Sequence, residues 1–288
     1  MKVINRKEPV KEPEIKALRE TAEQGDAAAQ YDLGSMYFYG EEIPKDDAEA
    51  VKWLRKSAEL GLAEAQNSLG FMYRKGSGVP KDDAKAVEWF RKAAEQGLAK
   101  AQCNLAIGIN VGQGRFGDDA EEVEWYRKAA EQGDAQSQYN LGNLYRRGQR
   151  VAKDDAEAVK WTRKAAEQGD VSAQYNLGLM YYQGKVVPEA HTEAATWFRK
   201  AAEQGHAAAQ YNLGAMCANG QGVSKDYIEA VKWLRKAAEQ GHAEAQFRLG
   251  LIYANGREVP KDDVEAVEWI RKAAEQGHAG ARASFPVT

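Results

Sequence analysis

The sequence is poor in cysteine and has no long apolar run. Its 288 residues include only two cysteines, Cys103 and Cys217, and several layers of packed helices would separate them in the repeat pattern described below. We therefore expect two reduced thiols rather than a disulfide. No stretch approaches the ~20 apolar residues of a membrane helix, and residues 1–20 lack the apolar core of a secretory signal. These absences predict a soluble, cytoplasmic protein without membrane insertion. A periplasmic protein whose signal had been removed would have the same sequence.

The sequence also lacks an excess of charge of either sign. Its 40 lysines and arginines are balanced by 43 acidic residues, which gives a net charge of −3. A basic excess of the kind that follows a nucleic-acid backbone is therefore missing. We expect no nucleic-acid partner.

What the sequence does contain is a repeat of 36 residues. Glycine recurs at this interval from Gly25 to Gly277, and all seven tryptophans keep the same interval from Trp53 to Trp269. A fixed period of 20 to 50 residues is typical of repeat proteins built from one supersecondary unit. The fold of one repeat therefore predicts the architecture of the repeated region.

Each repeat contains signals for two helices. In the first repeat, helix A is predicted from Asp26 to Tyr39, and Gly40 ends it in the left-handed conformation that glycine allows. A turn follows, and helix B opens with Asp46 as its N-cap. Arg55 is expected to point outward with the other charged residues of helix B.

One such hairpin cannot bury its own apolar face, so the repeats must stack against one another. We predict an all-α solenoid of seven helix-turn-helix repeats, forming a single domain over residues 14–277, between tails 1–13 and 278–288. A capping half-repeat precedes the first full repeat. The boundaries are 14–25 for the half-repeat and 26–61, 62–97, 98–133, 134–169, 170–205, 206–241 and 242–277 for the repeats.

The repeated string closely resembles the Sel-one-like repeat family, a relative of the tetratricopeptide repeat. Ala173–Tyr181 and Glu229–Gly241 show the pattern well, and the resemblance extends over residues 14–282. It implies a right-handed α/α superhelix with a concave groove lined by the A helices. Members of the family generally act as adaptors, chaperone-like scaffolds or secretion and signalling partners, and some bacterial members resemble immunity proteins that neutralise toxins. A cysteine-rich branch is linked to β-lactam binding, but its paired cysteines are missing here.

Five positions of helix A vary from repeat to repeat, and they form one stripe that faces away from the buried leucines. In tetratricopeptide-like repeats the matching positions face the groove. We therefore predict that this stripe binds the partner. The residues predicted to do so are Tyr31, Phe38, Tyr39, Phe71, Arg74, Lys75, Tyr139, Asn143, Arg146, Arg147, Tyr175, Leu179, Tyr182, Gln183, Tyr211, Asn219 and Phe247.

The chemistry of this stripe suggests its ligand. Tyrosine, phenylalanine and arginine are enriched at interface hot spots, and arginine pairs well with carboxylates. Our hypothesis is an acidic and aromatic peptide, or a protein loop, lying over repeats 1 to 5 of a monomeric protein. The alternative is that these are ordinary solvated residues of a helix face.

The other motifs are better explained as structural features than as catalytic, metal or cofactor sites. Residues 112–117 spell GxGxxG, but a helix precedes them instead of the strand that a dinucleotide site requires. His206, His242 and His278 begin successive A helices and are expected to be solvated or capping residues rather than to share a metal. The recurring Asp pairs are expected to be helix caps. We predict no catalytic residues, no metal and no cofactor.

The third repeat departs from the pattern. Ala106 replaces a glycine, Gly108 replaces a methionine, and Phe116 stands in the loop. Because glycine inside a helix costs ~1 kcal/mol, this repeat is a candidate hinge or specialised contact, and sequence drift is the alternative.

Three functions compete at this point. The leading interpretation is a non-enzymatic scaffold or adaptor that binds protein or peptide in the groove. An immunity protein would use the same surface against a toxin. A hydrolase acting on a β-lactam-like substrate would need one pocket with polar residues that do not repeat, and the sequence shows none.

Overall fold

The structure is a computed structural model that describes residues 12–111, 118–184, 190–256 and 259–284. These residues form sixteen helices and no strand, so the predicted all-α architecture is confirmed. The helices are α1 (Glu12–Glu23), α2 (Ala27–Tyr39), α3 (Asp47–Glu59), α4 (Ala63–Lys75), α5 (Asp83–Glu95), α6 (Ala99–Val111), α7 (Asp119–Glu131), α8 (Ala135–Arg147), α9 (Asp155–Glu167), α10 (Val171–Gln183), α11 (His191–Glu203), α12 (Ala207–Asn219), α13 (Tyr227–Glu239), α14 (Ala243–Asn255), α15 (Asp263–Glu275) and α16 (Ala279–Ser284).

The helix boundaries follow the predicted caps. The Asp26 side chain accepts a hydrogen bond from the Ala29 amide at 2.7 Å, which begins α2. Gly40 ends α2 with φ +72°, a backbone conformation that favours glycine. Asp46 then accepts from the amides of Ala48 and Glu49 at the start of α3.

The chain divides into two compact units between Gln138 and Tyr139, and each unit is described by itself. In the first unit the A helices α2, α4 and α6 pack on the B helices α3, α5 and α7 that follow them, and α3 and α5 pack on the next A helices, α4 and α6. The second unit repeats this order from α9 to α16. That all seven repeats form one domain stays a prediction.

Glycine allows the A and B helices of one repeat to approach closely. A Cβ added at Gly70 of α4 would lie 2.8 Å from the Phe90 ring of α5, well inside contact distance. In the second unit, a Cβ at Gly178 would lie 2.7 Å from the ring of Phe198. Both phenylalanines are fully buried. The space that glycine leaves is therefore filled by the core of the same repeat.

Glutamine joins successive repeats. The buried Gln66 donates from Nε2 to the carbonyl of Ala58, at the end of the preceding B helix, at 3.1 Å. Its Oε1 accepts from Gln96 Nε2 at 2.8 Å. In the second unit Gln210 makes the same two contacts, to Ala202 at 3.0 Å and from Gln240 at 2.7 Å. This pairing explains why glutamine recurs at these positions.

The arginine of helix B does not point to solvent as predicted. Arg55 is half-buried and donates to the Tyr73 hydroxyl of the next A helix at 2.8 Å. Arg235 makes the corresponding bond to Tyr253 at 2.7 Å and also reaches Glu265 of the next B helix at 3.3 Å. The prediction was wrong because a single-helix pattern cannot show a partner 18 residues away in the next repeat.

Five of the seven tryptophans are buried in the core, as predicted, whereas Trp89 and Trp125 are only partly buried. Trp233 is only 4% exposed, and its indole donates to Glu229 one turn earlier at 2.6 Å. The ammonium of Lys236 lies 4.5 Å from the Trp233 ring centroid. The same arrangement recurs at Trp161 and Trp269.

The third repeat contains an unusual buried charge. Glu122 of α7 is 1% exposed, at the position that alanine occupies in the other B helices, and it accepts from Asn110 of α6 at 2.9 Å. The predicted GxGxxG loop and Phe116 lie outside the described residues, and the hinge stays a prediction. At the two ends, α1 and α16 supply the expected half-repeat and the start of a further A helix.

Candidate binding surface

All of the residues predicted to bind a partner lie on A helices, and none of them is fully buried. They are grouped here by unit. The first surface consists of Tyr31, Phe38, Tyr39, Phe71, Arg74 and Lys75. The second surface consists of Tyr139, Asn143, Arg146, Arg147, Tyr175, Leu179, Tyr182, Gln183, Tyr211, Asn219 and Phe247.

Aromatic rings from neighbouring A helices meet on the first surface. Phe38 of α2 lies edge-to-face on Phe71 of α4, with ring centroids 6.2 Å apart and an interplanar angle of 88°. Tyr39 packs against Phe38 at 5.0 Å and is 50% exposed. Edge-to-face pairs hold rings in fixed positions. The first surface therefore presents a partly exposed aromatic patch that spans two repeats.

Arg74 lies beside this patch. Its guanidinium carbon is 5.4 Å from the Phe71 ring centroid and 5.3 Å from that of Phe90. Burial lowers the pKa of Arg74 below its ordinary value, and the negative charge of Asp83 opposes that shift only in part. The cation has therefore lost part of its hydration, which a bound anion would compensate.

Arg74 and Lys75 differ from the arginines of the B helices. Among the described residues of the first unit, no carboxylate lies within ion-pair distance of either side chain. Arg91 of α5, by contrast, is paired with Glu121 of α7. Arg91 is thus committed to the repeat scaffold, whereas Arg74 and Lys75 have no counter-ion among these residues.

On the second surface, Arg146 resembles Arg74 in lacking an ion-pair partner among the described residues. Its Nη2 donates to Asn143 Oδ1 at 3.3 Å, which fixes the side chain along its own helix. Its Nε is buried and has no hydrogen-bond partner. No carboxylate of the described second unit pairs with it or with the exposed Arg147. The guanidinium of Arg146 therefore has no counter-ion among these residues.

The remaining exposed members of the second surface are neutral. Tyr182 of α10 is 37% exposed and packs on the core residue Phe198, with ring centroids 6.3 Å apart. Leu179 lies half-buried on the same helix, and Gln183 is exposed at its end. Asn219, also exposed, donates to Gln221 at 3.3 Å.

Three aromatic residues of the second surface also belong to the junctions between repeats. Tyr175 stacks on His206 with ring centroids 4.4 Å apart, and Tyr211 stacks on His242 at 4.8 Å. Phe247 lies 4.5 Å from His278 in the same way. These rings are half-buried. They therefore hold neighbouring A helices together, in addition to any role toward a partner.

The predicted capping role of these histidines is confirmed. Nδ1 of His206 accepts from the Ala209 amide and Nδ1 of His242 accepts from the Ala245 amide, both at 3.2 Å. His278 caps α16 at 3.1 Å, and its Nε2 lies 2.7 Å from Glu244 Oε2.

Sequence reasoning missed one row of this face. The position of Asp32 lies four residues after Ala28 and three before Ser35, so it shares their side of the helix. Asparagine occupies it in four consecutive repeats, at Asn104, Asn140, Asn176 and Asn212. Asn104 donates to Asn67 at 2.8 Å, and Asn176 donates to the Tyr139 hydroxyl at 3.3 Å. A helical-wheel projection would have placed this row beside the variable positions.

Features of other functional classes do not emerge from the described residues. No group of three or more His, Cys, Asp or Glu side chains within residues 12–111, 118–184, 190–256 and 259–284 could hold a metal ion. None of the helices in these ranges is both long and apolar enough to cross a membrane. Both cysteines are buried free thiols, and burial raises the pKa of Cys103 to about 11, which makes it a poor nucleophile.

Comparison with known proteins identifies the repeat. The Sel1 repeat model matches seven consecutive segments, 27–62, 63–98, 99–134, 135–170, 171–206, 207–242 and 243–278. No functionally curated protein matches the chain.

Two solved structures are similar over most of the chain. One is a protective antigen present in uropathogenic Escherichia coli strains, displaying an SLR fold. It is 42% identical with a TM-score of 0.90, and the alignment covers 94% of this chain and 58% of that one. The other is a Sel1 repeat protein from Oxalobacter formigenes, 37% identical with a TM-score of 0.73, covering 94% of this chain and 79% of that one. The chain thus spans less than two thirds of the E. coli protein. With seven matched repeats and these two relatives, the chain belongs to the Sel1 repeat family.

Proposed function

We propose that the protein is a non-enzymatic scaffold that binds a protein or peptide through the open faces of its A helices. The observation that carries the proposal is the division between two sets of arginines. Arg55 and Arg235 of the B helices are bonded to the next repeat, whereas Arg74 and Arg146 of the A helices have no carboxylate partner in the described residues. A scaffold needs the first set for stability and the second for recognition.

The partner's contact segment is acidic and contains aromatic residues. A carboxylate is the natural ligand of a partly desolvated guanidinium, because both groups carry charge and match in geometry. The aromatic pair Phe38 and Phe71 beside Arg74 offers ring edges and faces to an aromatic side chain. The asparagine row, which includes Asn176 and Asn212, offers amide groups that bond the backbone of an extended segment.

A displayed library of random peptides tests the proposal. The library is selected on the wild-type protein at pH 7.5 and sequenced, and the affinity of the enriched peptides is measured in solution. We expect enrichment of Asp, Glu and aromatic residues. The variants Arg74→Glu and Arg146→Glu/Arg147→Glu are expected to lose affinity at least tenfold, since a hydrogen bond to a charged group contributes about 1.5–3 kcal/mol.

The matched control is a charge reversal of the same size on the B-helix face. Lys52 of α3 forms an ion pair with Glu49 of its own helix, as Lys160 of α9 does with Glu157. Lys52→Glu therefore matches the charge change of Arg74→Glu, and Lys52→Glu/Lys160→Glu matches that of the double variant, without touching either surface. Unchanged affinity in the A-helix variants, or an equal loss in Lys52→Glu, would contradict the proposed function.

A further inference from the structure

Three helices of the second unit, α12, α14 and α16, are capped by histidine, whereas α2 and α10 are capped by aspartate. Asp170 caps α10 by accepting from the Ala173 amide at 2.7 Å. In the next two repeats, His206 and His242 take this position and accept through Nδ1. A backbone amide can only donate, so each Nδ1 must be unprotonated to cap its helix.

Each of these rings is also stacked on the second surface. His206 lies on Tyr175 with an interplanar angle of 25°, and His242 lies on Tyr211 with an angle of 17°. The tyrosines belong to the preceding A helix, so each stack joins two repeats. One imidazole therefore connects the start of a helix to a side chain of the proposed binding surface.

We propose that acidification below pH 6.5 protonates His206 and His242, uncaps α12 and α14, and weakens partner binding at the second surface. Once Nδ1 carries a proton, it cannot accept the Ala209 or Ala245 amide, and its positive charge stands at the positive end of the helix dipole. The ring must then turn toward water, which removes the stack that fixes Tyr175 or Tyr211. The effect on the partner rests on the proposed function; the effect on the helices does not.

The surroundings of the two rings favour the neutral imidazole that caps the helix. Burial lowers the pKa of both His206 and His242; for His242, the nearby Glu244 carboxylate opposes the shift without reversing it. Among the described residues, Tyr175 faces His206, and Tyr211 and Glu244 face His242. Glu244 is itself paired with Arg248 and His278.

The lowered pKa of each histidine determines how folding stability changes with pH. A histidine with a depressed pKa binds fewer protons in the folded state than in the unfolded state. Its contribution to stability is therefore complete above pH 6.5 and is lost as the pH falls through the lowered folded-state pKa. His278 serves as an internal contrast, because it caps the terminal helix α16 and its Nε2 contacts the Glu244 carboxylate.

Hydrogen exchange of single amides tests the inference without a partner. We compare pH 7.5 with pH 5.5, after correction for intrinsic exchange, in the wild type and in His206→Asp/His242→Asp, which restores the cap that Asp170 provides. We expect protection of the Ala209 and Ala245 amides to fall about fivefold in the wild type, to stay unchanged at Ala173, and to stay unchanged everywhere in the double variant. Equal behaviour of the wild type and the double variant would overturn the proposal.

The binding arm uses a peptide selected on the wild type at pH 7.5. Its affinity is expected to drop at pH 5.5 for the wild type and to drop significantly less for His206→Asp/His242→Asp, whereas His278→Asp behaves as the wild type. If protection changes as expected but the affinity ratio between the two proteins is constant with pH, the regulation of binding is refuted. The proposed function fails separately, when Arg146→Glu/Arg147→Glu binds normally at pH 7.5.

Discussion

Gln66 and Gln96 stand 30 residues apart and share a hydrogen bond of 2.8 Å between repeats. Gln66 also donates to the Ala58 carbonyl, and its side chain is 5% exposed. A polar side chain at this depth is stable only because both ends of its amide are bonded. The repeat interface is therefore held by polar pairing as well as by apolar contact.

Replacing Gln66 by leucine should destabilise the protein by about 1–3 kcal/mol. The substitution removes both hydrogen bonds of the Gln66 amide, to Ala58 and from Gln96, and each such bond contributes about 0.5–1.5 kcal/mol. Urea unfolding followed by circular dichroism measures the change. Gln24→Leu, at an exposed position, is the control, and equal effects of the two substitutions would refute the role of Gln66.

Truncating Phe90 tests the packing of the A and B helices. Phe90 is fully buried and fills the space above Gly70, so Phe90→Ala should cost about 3–5 kcal/mol. Leu60 is 60% exposed, and Leu60→Ala should change stability by less than about 0.5 kcal/mol. Calorimetric melting of the two variants gives the comparison; a small effect of Phe90→Ala would mean that the core is not packed as described.

The two sets of arginines should separate in stability measurements. Arg235→Gln removes bonds to Tyr253 and Glu265 and should cost about 1 kcal/mol. Arg146→Gln should cost less, because its one side-chain partner among the described residues is Asn143 on the same helix, at 3.3 Å. The denaturant midpoints of both variants measure the difference in stability. A larger loss of stability for Arg146→Gln would mean that Arg146 also stabilises the repeat scaffold.

Acid should weaken the first unit through Glu121. The hydrogen bond from Arg91 lowers the pKa of Glu121 below its ordinary 4.5, although burial acts against that shift. A depressed carboxyl pKa contributes stability above pH 4.5, and that contribution is lost as the pH falls through the lowered value. Glu121→Gln should therefore flatten the dependence of unfolding free energy on pH below about 4.5. An unchanged slope in the variant would contradict this assignment.

The sequence predicted local structure more completely than contacts between repeats. Asp26 and Gly40 mark the ends of α2 because capping depends on residues within one turn. The bond from Arg55 to Tyr73 was missed, since it depends on how two repeats stack and leaves no trace in the pattern of either helix. That the variable positions share one face of the helix was predictable from helix geometry alone.

The candidate site was predictable in its residues but not in their state of pairing. Variation between repeats pointed to Arg74 and Tyr175, yet only coordinates distinguish an arginine without a counter-ion from one bonded to the next repeat. The same applies to the rings: Tyr175 is engaged by His206, whereas Tyr39 is half exposed. The asparagine row was overlooked because it recurs, and recurrence was taken as a sign of scaffold.

Hydrogen–deuterium exchange of the protein with and without a library-selected peptide tests the central claim most directly. The account predicts that protection on binding is confined to A helices, with the strongest effects in α4 around Arg74 and in α8 around Arg146, and that α5 and α9 exchange as in the free protein. Protection concentrated on the B helices, with α4 and α8 unchanged, would contradict it.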